Sequence, residues 1–505
     1  MKTILRTFVG CTAILFGTAC MGAVKYVPEN MKVELSLKVP GNNAVNYKLH
    51  PDKLENSYFD YEWRSDNKLP ITVFHKVEER DSCMRLTVQL TAAQDVYFNY
   101  RQLLSTGYRH DNCQFYMPGF WYRRNLRSPK KAPSFHTSDS WLVREDRLSA
   151  PLTGIFSEKE KRFMTVNRLD DFSMDALATH KEGEIILSGK TSLGFTGFEN
   201  QQGIAMLSFG FPYREAPKSY IRKLTLAPEV EAFQLMKKGE SVLLTWEIME
   251  SGADDFSDFI QHTWEHCYDT YAPKPVENSY SIADMKQVLS CFFVNSLVDN
   301  QPLVYNSGIH LKVSDCERNG QAEVGFIGRV LLNAFNAWEY GWQSNREELK
   351  VNSTKIFDSY LKNGFTQAGF FKESVNFDKG YEEPVHSIRR QSEGVYAMFH
   401  FLAYEKENGR RHPEWEQKLK RILDMFLQLQ NVDGSFPRKF RDDLTIVDPS
   451  GGSTPSATLP LVMGYKYFKD KRYLASSKRT ADYLEKELIS KADYFSSTCL
   501  LYTSD

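Results

Sequence analysis

The chain has 505 residues, with 63 Lys and Arg against 64 Asp and Glu, a formal charge of −1. Hydrophobic residues make up 42% and charged residues 25%, which excludes a disordered chain, a collagen and a polytopic membrane protein. The even charge balance also excludes a strongly basic nucleic-acid-binding surface, and no nucleic-acid partner is expected.

Aromatic residues stand at 13%. They can fill cores, or line sites that stack on flat ligands such as sugar rings. The start of the chain predicts a secretory signal over residues 1–23. Lys2 and Arg6 flank the entry to an apolar run from Thr7 to Ala19, which is short for a membrane span. Gly17-Thr18-Ala19 fits a cleavage site, and Cys20 follows it. Lipid attachment at Cys20 is the one membrane link the sequence admits, although Gly17 stands where a lipoprotein box prefers Leu. The protein is therefore expected to be exported, to the periplasm or cell surface.

Residues 24–254 predict an antiparallel β-sandwich. Val33–Val39 and Arg85–Leu90 alternate apolar and polar residues. Glu184–Leu187, Ala205–Phe209 and Ser241–Trp246 are further short runs separated by turn residues. Phe115–Asn125 gathers Tyr116, Phe120, Trp121, Tyr122, Arg123 and Arg124. Trp121 and Arg123 are candidate sugar-binding residues, with packing between domains as the alternative. Cys83 with Cys113, and Cys291 with Cys316, are candidate disulfides in an exported chain, with isolated buried thiols as the alternative. No C-x-x-C pair supports a zinc or thioredoxin-like motif.

Residues 255–280 predict a linker helix. Within it His262-Thr263-Trp264-Glu265-His266 matches H-x-x-E-H, an inverted zinc-protease pattern. Five residues recur often by chance, and no supporting scaffold is visible, so no metal or other cofactor is expected.

Residues 281–498 predict helical hairpins. Apolar spacing of three and four gives helices over 281–298, 321–343, 346–363, 387–408, 412–431, 453–469 and 471–489. Short connections alternate with long loops over 299–320, 364–386 and 432–452. The helices after the long loops start about 66 residues apart, which signals a repeated helix pair. Those three helices are the less charged ones and are expected inside, with their N-termini and all three long loops on one face. Loops on a rigid scaffold are where sites are usually built. The tail Cys499–Asp505 resembles the translation of a transposon adapter used in sequencing-library preparation, and is set aside as non-native.

A leader, a β-sandwich and then inner and outer helical hairpins resemble bacterial enzymes of the six-hairpin glycosidase class, which pair a sandwich with an (α/α)6 toroid. The loop Gln430-Asn431-Val432-Asp433-Gly434-Ser435-Phe436-Pro437 and the helix opening Gln391-Ser392-Glu393-Gly394 are similar to segments of that class. The resemblance implies that the chain supplies part of a toroid and continues beyond its end. It also implies a glycoside hydrolase that works with two carboxyl groups on an oligo- or polysaccharide.

The long-loop face offers Asp315, Glu317, Glu373, Asp378, Glu382, Asp442, Asp443 and Asp448, with Glu323, Glu383, Glu393 and Asp433 as the catalytic candidates. Glu323 and Glu393 are expected near inner-helix N-termini, where the dipole favours a carboxylate. Glu383, beside Tyr381 and Pro384, is the candidate acid. Tyr381, His386, Arg389, Arg390 and Arg438 are candidate substrate-binding residues. Two arginines in the first turn of a helix oppose its dipole, which points to an acidic sugar such as a uronate, or to internal salt bridges. A polysaccharide lyase with Tyr381 or His386 as base is the first alternative. A non-catalytic glycan-binding surface protein is the second.

Overall fold

The computed structural model describes residues 28–490, except 56, 81–82, 127–131, 171–172, 223–224, 300–301, 303, 306–308, 312–315, 319–320 and 326–328. The predicted leader, Cys20, Asp315 and the tail lie outside these residues. So do the side chains of Cys316, Glu317 and Arg318. The chain divides into two compact units, one ending at Pro273 and the other starting at Lys274. No helix among the described residues is long and apolar enough to cross a membrane.

The first unit is a 17-stranded hydrogen-bonded sheet system. It is antiparallel apart from the pairing of Gly183–Ile186 with Val230–Met236. The strand Cys83–Ala92 shows why it forms. Leu86, Val88 and Leu90 are fully buried on one face, while Arg85, Thr87 and Gln89 point the other way. It pairs on one side with Ile71–Glu79 and on the other with Ser241–Gly252. A second run centres on Val96–Arg109, which pairs with Met31–Lys38 and Ile204–Phe211. The two runs share one core. The Phe209 ring lies 5.3 Å from Trp246, and buried His75 Nε2 lies 2.6 Å from the Tyr100 hydroxyl.

Helix α1 (Phe256–Tyr271) belongs to this unit and is not a linker. The Asp255 side chain caps it by accepting from the amides of Ser257 and Asp258. Phe256, Phe259, Thr263 and Cys267 form its buried stripe. The Phe259 ring packs 4.9 Å from Phe163 and 6.0 Å from Phe156. Gly154 lies directly beneath, where an added Cβ would come within 2.5 Å of Phe259.

The candidate pair Cys83–Cys113 does not form, and Cys316, the candidate partner of Cys291, has its side chain outside the described residues. Cys83, Cys113, Cys267 and Cys291 are free thiols. Cys113 Sγ instead contacts the Arg109 carbonyl at 3.2 Å, and Cys83 faces Glu247.

The second unit carries α2 (Ile282–Asn295), α3 (Val330–Gln343), α4 (Glu347–Asn363), α5 (Ile388–Glu407), α6 (Pro413–Leu429), α7 (Thr454–Phe468) and α8 (Lys471–Tyr483). Hairpins α3/α4 and α7/α8 pack closely, and α5 lies against both α3 and α7. Helix α5 buries residues all round, from Ile388, Gln391 and Gly394 to Phe401 and Leu402. Helix α6 buries only the stripe Trp415, Leu419, Ile422, Leu423, Phe426 and Leu429. The inner and outer roles expected from composition are therefore observed for this pair.

One predicted helix begins late. Gln321–Glu323 is a strand paired with Ser374–Asn376, and α3 starts only at Val330. Ala322 and Val324 are buried while Gln321 and Glu323 are half-exposed, the alternation of a strand. Glu323 is thus not on a helical turn, and the helix-dipole argument for it fails. A second small sheet joins His386–Ser387 to Lys439–Phe440 and then to Ile446–Asp448. The long loops are stitched together by these sheets around the start of α5.

Candidate active site

The N-terminus of α5 anchors the site. Ser387 caps it, its hydroxyl accepting from the Arg390 amide at 3.1 Å. The Ser387 amide donates to Glu373 Oε1 at 2.6 Å, and Gln391 Nε2 donates to the same oxygen at 3.1 Å. Gln391 also exchanges hydrogen bonds with the Phe371 backbone, at 2.8 and 3.0 Å. Glu373 is 1% exposed. A buried carboxylate with several donors beside a helix N-terminus is well satisfied, and it fixes the loop that leads into Tyr381 and Glu383.

A cleft of about 720 Å³ opens beside this anchor. Phe365, Thr366, Gln367, Lys372, Glu382, Glu383, Pro384, His386, Arg441, Asp442 and Asp443 line it. His386 sits in its wall, its ring 5.0 Å from Phe370 and 5.5 Å from Phe440. Its Nε2 lies 2.7 Å from Asp442 Oδ1, which also accepts from the Thr366 hydroxyl at 2.9 Å. Burial pushes the His386 pKa below the ordinary value, against the pull of Asp442. The ring is therefore neutral at neutral pH and able to take up a proton.

Half-buried Glu383 accepts from the Tyr381 hydroxyl at 3.4 Å. Partial desolvation and this carboxylate hold the Tyr381 phenol above its ordinary value. Lys372 pairs with Glu382 at 2.6 Å. A second cleft of about 620 Å³ runs along α6 and shares Asp442 and Asp443 with the first.

Glu383, Tyr381 and His386 are thus brought to one place. Arg389 and Glu393 stand on the first turns of α5, with Arg389 Nε 3.2 Å and Arg329 Nε 3.7 Å from the Glu393 carboxylate. Gly325 presses close here, since an added Cβ would lie 2.8 Å from Glu393 Oε2. Arg390 is half-buried beside them, and Glu323 is half-buried on its strand. Part of the arginine excess is accordingly met by internal partners. Arg438 also pairs with Asp448 at 3.2 Å.

Asp433 is exposed and does not line the cleft. Its Oδ1 accepts from the Ser435 amide at 2.9 Å and from the Ser435 hydroxyl at 2.7 Å, a turn-forming role.

Trp121 needs correcting as a sugar platform. It is 0% exposed, packed 5.0 Å from Phe198 and 5.8 Å from Trp141, and its indole N–H donates to the Arg123 carbonyl at 2.8 Å. No ring face remains for a ligand. Arg123 places its guanidinium 5.2 Å over the Phe256 ring, which anchors α1 instead of a substrate.

Thr366 and Lys372 are cleft residues that sequence reasoning passed over. Only the neighbouring Phe370-Phe371 pair, which buries this loop, hinted at them.

No family model matches the chain. Solved structures that it is similar to include a polysaccharide lyase, at 12% identity, covering 90% of this chain and 75% of that one with a TM-score of 0.34. Another is a possible member of the GH105 family from Salmonella enterica subsp. enterica serovar Paratyphi A, at 13% identity, 46% and 66% coverage and a TM-score of 0.34. A third is the unsaturated glucuronyl hydrolase, responsible for the degradation of glycosaminoglycan, from Bacillus sp. GL1, at 15% identity, 42% and 58% coverage and a TM-score of 0.31. The chain spans under two thirds of the length of that hydrolase.

Proposed function

We propose that the protein is an exported carbohydrate-active enzyme, built as a β-sandwich followed by an (α/α)6-type helical domain, that hydrolyses a glycosidic bond in a uronate-containing glycan. The observation that supports this best is the cleft at His386. It lines one space with carboxylates from two separate loops, Glu383 and Asp442, and with the cations Lys372 and Arg441. Glycosidic cleavage calls for one carboxyl group to protonate the leaving oxygen and another to act as base or nucleophile. Glu383, half-buried beside a phenol, is assigned the acid. Asp442, held by His386 and Thr366, is assigned the second carboxylate; Glu393 and Glu323 do not line this cleft. Lys372 and Arg441 would meet the uronate carboxylate. Export, with Cys20 as the one membrane link, belongs to the same proposal and is read from the leader.

A β-eliminating lyase is the second reading. It is favoured by the neutral His386 ring and by the Tyr381 hydroxyl at 3.4 Å from Glu383, since elimination needs a base near a neutralised uronate. One assay separates the two. Uronate-containing and neutral glycans are incubated with the protein, and reducing ends and ultraviolet absorbance are followed together. Hydrolysis predicts reducing ends from the uronate glycan with no gain in absorbance. A proportional rise in absorbance establishes the lyase. Turnover of neutral glycans alone sinks the uronate assignment.

A further inference from the structure

The first unit holds a second group of reactive side chains that the glycan reading does not use. Cys83 opens the strand Cys83–Ala92, Glu247 lies on the adjoining strand Ser241–Gly252, and His266 projects from α1. One donor atom from each, a thiol sulfur, a carboxylate oxygen and an imidazole nitrogen, lies within 4.8 Å of both others. His266 Nε2 is 2.7 Å from Glu247 Oε2, and the Thr270 hydroxyl donates to that oxygen at 3.2 Å. Glu247 Oε1 turns toward Arg85, whose Nη2 is 3.7 Å away. Cys83 is 6% and Glu247 4% exposed, while His266 is half-exposed and leaves one side open to water.

We propose that Cys83, Glu247 and His266 bind a divalent cation of the zinc type, with a fourth position open to solvent. The donor set carries the choice of metal. Thiolate and imidazole suit zinc, and one carboxylate completes a borderline site, whereas magnesium and calcium require oxygen ligands throughout. Charge agrees, because a dication with one thiolate and one carboxylate forms a neutral unit, the kind that a mostly buried position tolerates. A zinc ion with bonds of about 2.0–2.3 Å holds its ligands closer together than 4.8 Å, so binding draws the three side chains inward. It exchanges the Cys83 S–H proton for the metal and releases that proton to water, while the proton that His266 Nε2 shares with Glu247 is given up so that Nε2 can bind the metal, leaving a ring proton on Nδ1.

The site uses half of the H-x-x-E-H motif, and not as a protease would. His262 turns away, its Nε2 3.7 Å from Asp258 and its ring stacked 6.3 Å from Phe163. The metal would instead fasten α1 to two strands of the sheet.

Chelator-treated full-length protein, titrated with Co²⁺ and then Zn²⁺, provides the test. One equivalent of Co²⁺ is expected to give a thiolate-to-cobalt charge-transfer band that Zn²⁺ abolishes. Zn²⁺ is also expected to raise the melting temperature. The band and the thermal shift are lost in Cys83→Ser and kept in Cys291→Ser, which removes the exposed thiol. His266→Gln weakens Co²⁺ binding at least tenfold, and this variant carries the test should Cys83→Ser fail to fold. Absence of a thiolate band in the wild-type protein overturns the proposal. So does a band that survives in Cys83→Ser, one that vanishes in Cys291→Ser, or unchanged affinity in His266→Gln.

Discussion

The segment around Trp121 in the first unit and the loop around Glu383 in the second present similar chemistry in the sequence. Each sets aromatic rings beside arginines and polar groups. In the first unit these groups are turned inward. Trp121, Phe115, Phe120 and Trp141 are all 0% exposed, and Arg123 lies over Phe256. In the second unit Phe370 and Phe440 are just as buried, but they serve as the wall behind His386, while Glu383, Lys372, Arg441 and Asp442 face open space. Aromatic content is therefore no guide to a sugar site by itself. What distinguishes the two regions is whether charged groups are left at the edge of the aromatic layer.

The sharpest way to break this contrast is Trp121→Ala. A fully buried indole cut to a methyl is expected to cost about 3–5 kcal/mol of stability, measured by denaturant unfolding. A cost below about 1 kcal/mol, with a raised KM for glycan, would return Trp121 to the role of sugar platform.

A loss of comparable size, but spread over the acid range, comes from His75, which burial pushes down to about 3. The unfolded state takes up this proton below about pH 6.5 and the folded state does not, so stability is lost as pH falls from about 6.5 toward 3. The slope is about 1.4 kcal/mol per pH unit. His75→Gln should remove one proton from the pH dependence of unfolding over that window. An unchanged slope would show that the buried ring is not what makes the first unit acid-sensitive.

Much of the second unit was legible. Helix α5 was expected over 387–408 and spans Ile388–Glu407, because its apolar spacing and its Ser387 cap act locally. At Gln321–Glu323 the sequence predicts helix where the chain forms a strand, because a three-residue pairing with Ser374–Asn376 leaves no periodicity to detect. The site was legible only as a face. Glu383, Tyr381 and His386 lie within a few residues of each other, so their loop marked them. Asp442 reaches His386 from another loop, and Glu247 meets Cys83 and His266 from another strand and a helix. No local pattern encodes such meetings, and only the completed fold makes them.

The claim that the loop cleft of the second unit carries the chemistry is tested most directly by Glu383→Gln, with turnover and melting temperature measured on the same preparation. The account predicts kcat on a uronate-containing glycan at least about 100-fold below wild type, with the melting temperature unchanged. Turnover within threefold of wild type would contradict it.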